Sequence, residues 1–106
     1  MRILIADDNA VMRAVLRAML REEGYDVVGE AADGAAAVDL ARRLVPDIVC
    51  LDIVMPKADG LQALQEIRAA QPNAVVLMIS GKADRESVEA AVAGGAFGYI
   101  LKPFNA

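Results

Sequence analysis

The chain has 106 residues, 57% of them hydrophobic, and carries a net charge of -4 from 11 basic and 15 acidic residues. This length fits one small domain, so we treat residues 1–106 as a single domain. The acidic balance argues against direct binding of nucleic acid, which favours a basic surface. No apolar stretch has the length of a membrane span, and the N-terminal residues have the pattern of a strand rather than of a signal peptide.

The single cysteine, Cys50, lies inside an apolar run near the middle of the chain. One cysteine cannot form an intramolecular disulfide, and a cysteine in such a run is typical of a small core residue rather than of a reactive thiol. This cysteine usage fits a reducing compartment, and we therefore expect a cytoplasmic protein.

Five short apolar runs, each bounded by turn-forming residues, predict β-strands. Between them, apolar residues recur at helical spacing, which predicts four amphipathic helices whose inward stripes include Val11 in the first helix and Val92 in the fourth. The second strand is the least apolar, so we expect it at an edge of the sheet. The strands are predicted at residues 2–6, 25–31, 47–52, 74–80 and 97–101, and the helices end near Gly24, Leu44, Pro72 and Gly94.

The alternation of strands and helices indicates successive βαβ units and a parallel sheet. Since crossovers between parallel strands are right-handed, a doubly wound α/β fold follows. In this arrangement the second, third and fourth helices lie on one face of the sheet, and the first helix lies on the other.

Polar side chains with complementary chemistry stand at the ends of four of the five strands. Asp7 and Asp8 follow the first strand, Asp52 ends the third, Ser80 ends the fourth and Lys102 follows the fifth. The carboxyl ends of parallel strands share one edge of the sheet, where open α/β sheets bind their ligands. Each residue alone also has an ordinary explanation, because an aspartate can cap a helix and a lysine can form a surface ion pair.

Three carboxylates in one cleft repel one another unless a cation joins them. Mg²⁺ suits this site because it prefers oxygen ligands and accepts one or two carboxylates together with waters and phosphate oxygens. The lysine would supply positive charge to an anion, and the serine hydroxyl could donate a hydrogen bond to it. Aspartate is a covalent nucleophile in phosphoryl chemistry, so the set predicts transfer of a phosphoryl group to Asp52 with Mg²⁺ as cofactor.

The motifs that carry this chemistry also occur together in a known family. In order along the chain they are Asp7-Asp8, Leu51-Asp52 with Met55-Pro56 and Gly60, Ser80-Gly81 and Lys102-Pro103. In this combination the chain resembles the receiver domains of bacterial two-component response regulators, the CheY-like domains, from Met1 to about Phe104. The resemblance implies a five-stranded sheet of order 2-1-3-4-5. It also implies a cis peptide bond between Lys102 and Pro103.

The resemblance assigns roles to individual residues. It implies that Asp52 accepts a phosphoryl group from a histidine kinase or a phosphotransfer protein, that Lys102 contacts this group, and that phosphorylation changes binding to a downstream effector protein. It further implies a switch pair of Ser80 and Tyr99, although a tyrosine in a strand can equally be ordinary packing. The implied Mg²⁺ ligands are Asp7, Asp8, Asp52 and the backbone carbonyl of Val54.

Other functions fit part of the pattern. A small Mg²⁺-dependent aspartyl-phosphate hydrolase would use the same carboxylates, and a receiver-like adaptor would act without phosphorylation. A flavodoxin-like cofactor binder would share the fold, but its phosphate loop would not be Asp-Asp-Asn, which repels phosphate unless a metal is present. On this basis we expect a signalling switch rather than an enzyme that acts on a diffusible substrate.

Receiver domains normally continue past the Lys-Pro turn into a fifth helix, whereas this chain stops at Ala106. A sheet buries both faces, so we expect one alternating set of the fourth strand, Val75/Leu77/Ile79 or Val76/Met78, to be partly uncovered along with part of the fifth strand. Because buried apolar surface stabilises by about 25 cal/mol per Å², this patch predicts a homodimer formed through the face that lacks the fifth helix. The alternative is that the 106 residues are a fragment of a longer protein whose next segment supplies this helix.

Overall fold

A computed structural model describes residues 1–53, 60–80 and 85–101, with the backbone alone described at residues 85, 87 and 101. Strands and helices alternate through this part of the chain. They are β1 (Arg2–Ala6), α1 (Ala10–Glu22), β2 (Asp26–Ala31), α2 (Gly34–Leu44), β3 (Ile48–Asp52), α3 (Gly60–Ala70), β4 (Val75–Ser80), α4 (Arg85–Ala93) and β5 (Gly98–Leu101).

The five strands form one parallel sheet of order β2-β1-β3-β4-β5, as predicted, with β2 at an edge. The β1–β2 pairing shifts register between Ile3 and Leu4. β1 and β3 are apolar except for Arg2 at the start of β1 and Asp52 at the end of β3. They lie in the interior of the sheet, and their central residues are buried on both faces. Both lead out at the same edge, which we call the carboxyl edge.

The helices cover the two faces unequally, as the crossover rule predicts. On one face, side chains from α2, α3 and α4 pack with Leu4, Val49, Leu51, Val76 and Met78 in the larger core cluster. On the other face, α1 contributes Leu16 to a smaller cluster with Ile3, Ile5, Cys50 and Ile79. Among the described residues no helix follows β5.

Two residues that the helical stripes place in the core lie outside it. Val11 on α1 is 70% exposed and Val92 on α4 is 65% exposed, so their predicted burial is wrong. Both stand at the margin of a wide apolar stripe, and the sheet contacts only the centre of that stripe. On α1 it is Leu16 that is buried, and on α4 it is Ala91.

The ends of two elements also differ from the sequence prediction. Tyr25 belongs to the turn that closes α1, because its N–H donates to the carbonyl of Leu20 at 3.0 Å after Gly24 adopts a φ of 89°. β2 therefore begins at Asp26. At the other end of the sheet β5 begins at Gly98, and Phe97 is exposed.

The fourth strand is partly uncovered on the α1 face, where the fifth helix was predicted to be missing. Of the two alternating sets considered, Val75/Leu77/Ile79 lies on this face, but Ile79 is buried. Val76 and Met78 are fully buried beneath the three helices, whereas Val75 and Leu77 on the α1 face are only half-buried. Ile100 of β5 is 41% exposed. These side chains leave a groove of about 210 Å³, which we call the apolar groove, lined by Leu16, Met19, Leu20, Cys50, Leu77, Ile79 and Ile100.

Candidate functional site

Asp7 leaves the end of β1 and is held by hydrogen bonds on its backbone and its side chain. Its N–H donates to the carbonyl of Ala31 at 3.0 Å, and its Oδ1 accepts from the N–H of Asn9 at 2.9 Å. Asn9 caps α1 by accepting from the N–H groups of Val11 and Met12. The cap therefore falls on Asn9, and the two preceding aspartates are left to form the site.

Asp52 is the last residue of the central strand β3 and pairs in register with Ile79 of β4. Its side chain is buried, with 6% of the residue exposed. The start of α3 presses directly on it, because a Cβ at Gly60 would meet the carbonyl oxygen of Asp52 and lie 2.7 Å from the Cα of Ile53. The N–H of Gly60 donates to the carbonyl of Ile53 at 2.8 Å. Glycine is thus required where α3 closes over the end of β3.

The carboxylates of Asp7, Asp8 and Asp52 form one cluster. One oxygen from each lies within 4.8 Å of the others, with Asp7 and Asp52 buried and Asp8 exposed. Three negative charges at this separation repel strongly, more so where burial lowers the local dielectric. An all-oxygen donor set, open to solvent on the side of Asp8, suits a hard divalent cation such as Mg²⁺.

Ser80 and Tyr99 lie on neighbouring strands on the other side of Asp52. Ser80 ends β4 and is 1% exposed, and Tyr99 of β5 pairs in register with Met78. Since side chains alternate along a strand, Ser80, Met78 and Tyr99 share one face of the sheet. Tyr99 packs against the larger core cluster and is half-buried. The structure therefore places both residues of the predicted switch pair on one face, with Tyr99 beside Met78, two residues before Ser80.

Three predicted features fall outside the described residues. They are the carbonyl of Val54, the side chain of Lys102 and the peptide bond between Lys102 and Pro103.

The sequence analysis missed Arg13 of α1. Its Nη1 donates to the carbonyl oxygen of Asp7 at 2.7 Å, and its Nε lies 3.6 Å from Glu30. A basic residue about one turn into the helix that follows an acidic loop is the sequence signal that could have revealed this contact. An acidic residue immediately before the end of the adjacent strand strengthens that signal.

The chain was compared with families of known proteins. The family model for the response regulator receiver domain matches residues 3–106. The chain belongs to the response regulator receiver family. This assignment confirms the predicted family and supports a signalling domain over the hydrolase and the adaptor considered above. Receiver domains are typically signalling modules rather than enzymes that turn over a separate substrate.

Two relatives of different length match almost the whole of this chain. The transcriptional regulatory protein PdtaR of Mycobacterium tuberculosis is 46% identical over 104 residues, which cover 98% of this chain and 50% of PdtaR. The chain thus spans about half the length of PdtaR. The chemotaxis protein CheY of Thermotoga maritima is 42% identical over 104 residues, which cover 98% of this chain and 87% of that protein.

Solved structures confirm the receiver fold. In the CheX–CheY–BeF3–Mg²⁺ complex from Borrelia burgdorferi, the matched chain superposes with a TM-score of 0.95 at 36% identity, covering 98% of this chain and 79% of the other. The receiver domain of CheB from Thermotoga maritima gives a TM-score of 0.88 at 36% identity, with coverage of 99% and 80%. Within the described part of this chain, no helix combines the length and apolarity needed to cross a membrane.

Proposed function

We propose that this receiver domain, within residues 1–106, accepts a phosphoryl group on Asp52 in a two-component pathway. The observation that carries the proposal is the cluster of Asp7, Asp8 and Asp52 at the ends of adjacent strands, with one oxygen of each within 4.8 Å of the others. Asp52 lies on the central strand, and the N-terminus of α3 closes over it. Its carboxylate is thereby fixed at the edge of the sheet while its two neighbours recruit a cation.

Mg²⁺ would be held by Asp7, Asp8, Asp52 and the backbone carbonyl of Val54. The oxygen donors fit the preference of this ion, and the repulsion among three carboxylates gives the folded chain a reason to bind it. When bound, Mg²⁺ neutralises the carboxylates and the charge on the phosphoryl oxygens. A CheY chain of the same fold was crystallised with Mg²⁺ and BeF3, a chemical mimic of a phosphoryl group, which supports this use of the site.

The transfer step forms one bond and breaks another. A carboxylate oxygen of Asp52 attacks the phosphorus of a phosphohistidine on a histidine kinase or a phosphotransfer protein. The new O–P bond forms as the P–N bond breaks, and the imidazole nitrogen retains the electron pair and takes a proton from solvent. Lys102 would pair with the phosphoryl oxygens, and the hydroxyl of Ser80 would donate a hydrogen bond to one of them.

The chain would also assist in removing the group. Water attack on phosphorus releases inorganic phosphate and returns the carboxylate of Asp52, so the domain limits the lifetime of its own signal. This chemistry acts on the covalent adduct and needs no pocket for a diffusible substrate. A phosphorelay of this kind would place the protein in the cytoplasm.

Signal output would pass through Ser80 and Tyr99. Ser80 is buried next to Asp52, and Tyr99 lies on the next strand, β5, on the same sheet face, where it is half-buried against the larger core cluster. Movement of Ser80 towards a phosphoryl group would bias the orientation of Tyr99 and the surface around it. A downstream effector protein would bind this surface. The matched Borrelia chain comes from a CheX–CheY complex, which supports binding of a protein partner.

A homodimer through the apolar groove is part of the same proposal. α1 is the only described helix on that face, and Leu77 and Ile100 remain accessible beside it. A two-fold axis would place the groove of one copy against the groove of the other, so that the same side chains are covered in both copies. Light scattering over a concentration series should then show dimer formation. A monomer at tens of micromolar that binds no hydrophobic dye would contradict the dimer.

The phosphorylation proposal is tested with a small acyl-phosphate donor and intact-mass measurement. With Mg²⁺ present the chain should gain one phosphoryl group, and omission of Mg²⁺ should prevent the gain. Asp52→Asn, which conserves shape and removes the nucleophilic carboxylate, should gain none. Labelling of this variant at the rate of the wild-type chain would contradict Asp52 as the acceptor.

A further inference from the structure

Arg13 binds the backbone of the acidic cluster at a carbonyl group that is not one of the proposed metal ligands. It lies on α1, six residues after Asp7, and its Nη1 donates to the Asp7 carbonyl oxygen at 2.7 Å. The N–H of Asp7 is held by Ala31 at 3.0 Å, and its Oδ1 accepts from Asn9 at 2.9 Å. Arg13 therefore adds a contact on the carbonyl that joins Asp7 to Asp8.

A second arginine and a glutamate orient Arg13. Glu30 of β2 forms a short ion pair with Arg17, with Nη1 2.6 Å from Oε2, and a longer one with Arg13, with Nε 3.6 Å from Oε1. The side chains of Arg13 and Glu30 are about one fifth and one quarter exposed. Glu30 directly precedes Ala31, which anchors the N–H of Asp7. Neighbouring residues of β2 thus hold the Asp7 backbone in two ways: Ala31 binds its N–H directly, and Glu30 orients the arginine that binds its carbonyl.

We infer that Arg13 is a positioning residue for the divalent-cation site, with Glu30 as its counter-ion. The inference rests on the proposed function, since it concerns the same carboxylates. Arg13 fixes the Asp7–Asp8 peptide unit and thereby sets the directions of both carboxylates towards Asp52. Groups that orient metal ligands from behind commonly change metal affinity 10- to 100-fold when they are removed.

Positioning and simple electrostatics predict opposite signs for the loss of Arg13. A guanidinium bound to the backbone of Asp7 adds positive charge to the site, so electrostatics alone predicts that Arg13→Ala binds Mg²⁺ more tightly. Positioning predicts weaker binding, because the loop that carries two ligands loses one of its anchors. The direction of the change therefore separates the two roles.

The experiment is a calorimetric Mg²⁺ titration of the wild-type chain, Arg13→Ala, Arg13→Lys and Arg17→Ala, each unphosphorylated and at low ionic strength. Arg17→Ala is the matched control, because it removes the shorter ion pair to Glu30 and an equal charge, whereas the hydrogen bond to the Asp7 carbonyl comes from Arg13. We expect Arg13→Ala to raise the Mg²⁺ Kd about tenfold. Arg17→Ala should leave it within about twofold, and Arg13→Lys should recover part of the loss because it keeps the charge and one donor.

Each outcome bears on a different claim. A wild-type chain that binds no Mg²⁺ would overturn the proposed site and this inference with it. A wild-type chain that binds Mg²⁺, together with an Arg13→Ala variant of equal or tighter affinity, would overturn the inference alone. If Arg13→Ala does not fold, Arg13→Lys against Arg17→Lys gives the same comparison, and equal Mg²⁺ affinities of those two variants would also overturn it.

Discussion

The two edges of the sheet use polar side chains in opposite ways. At the amino edge, where the strands begin, charged groups are matched to partners: the N–H of Arg2 donates to Asp47 at 2.8 Å, and Nη1 of Arg68 donates to the carbonyl of Ala74 at 2.9 Å. At the carboxyl edge, Asp7, Asp8 and Asp52 gather three like charges in one cluster. The first arrangement stabilises the fold, and the second works against it until a cation binds.

This difference separates the edge that binds ligand from the edge that stabilises the fold. Small domains are stable by only about 5–15 kcal/mol, so repulsion at the carboxyl edge is a substantial cost. The apolar interior of β1 and β3 and the matched groups of the amino edge offset it. Substitution of a carboxylate in the cluster should therefore change cation binding, whereas substitution of a matched charge at the amino edge should change stability and leave cation binding intact.

The largest expected effect tests how rigidly the carboxyl edge is built. Gly60→Ala places a Cβ against the backbone of Asp52 and Ile53, which cannot move aside as a side chain can. We expect a loss of about 3 kcal/mol in the free energy of unfolding, measured with urea. Gly94→Ala is the control, because its Cβ would meet the end of the Leu64 side chain, and its effect should be smaller. Equal losses would show that α3 adjusts freely over Asp52.

A second prediction concerns the apolar interior that separates the edges. Burial raises the pKa of the Cys50 thiol from 9.0 to about 11. The unfolded chain then loses this proton at lower pH than the folded chain, so the stabilisation is complete below pH 9 and is lost as pH rises towards 11. Urea unfolding should show the wild-type chain losing about 2 kcal/mol more than Cys50→Ala between pH 8 and pH 11. Parallel losses in the two proteins would show a thiol open to water.

The smallest expected effect compares one aspartate from each edge. Asp8→Ala relieves repulsion, so the metal-free variant should unfold at a higher temperature, equivalent to about 1 kcal/mol in the free energy of unfolding. The further rise in melting temperature that Mg²⁺ causes in the wild-type chain should be absent from this variant. Asp47→Ala removes the acceptor for Arg2 and should lower the midpoint by a similar amount with the Mg²⁺ shift intact. Thermal melts with and without Mg²⁺ measure both. If both substitutions destabilise the metal-free chain, the contrast between the edges is wrong.

Much of the fold follows from sequence because strand runs and helix stripes are local signals. The five strands and the unequal covering of the sheet were predicted from these signals, and the strand order from the family resemblance. Two alternating sets of the fourth strand were left open, and the structure leaves Val75 and Leu77 partly exposed. The burial of Val11 and Val92 was predicted wrongly, since a stripe shows which residues are apolar but not how far the neighbouring sheet extends. The start of β2 was placed one residue early, because Tyr25 belongs to the turn around Gly24, which the strand pattern alone does not reveal.

The candidate site likewise contains residues that local sequence signals predict and a contact that they do not. Asp7, Asp8 and Asp52 could be predicted because parallel strands deliver their carboxyl ends to one edge, and the structure brings their carboxylates together. The contact from Arg13 was not predicted, because its position after the acidic loop becomes informative only with the rotation of α1 over the sheet and the pairing with Glu30 from another strand. Long-range polar contacts of this kind leave no periodic pattern in the sequence.

The central claim is that phosphorylation falls on Asp52 and on neither neighbouring aspartate. Borohydride reduction of the acyl-phosphate-treated chain converts a phosphorylated aspartate to homoserine, which peptide mass mapping then locates. The proposed function predicts homoserine at position 52, in a reaction that depends on Mg²⁺, with Asp7 and Asp8 unchanged. Homoserine at position 7 or 8, or at no position in a chain that has gained a phosphoryl group, would contradict it.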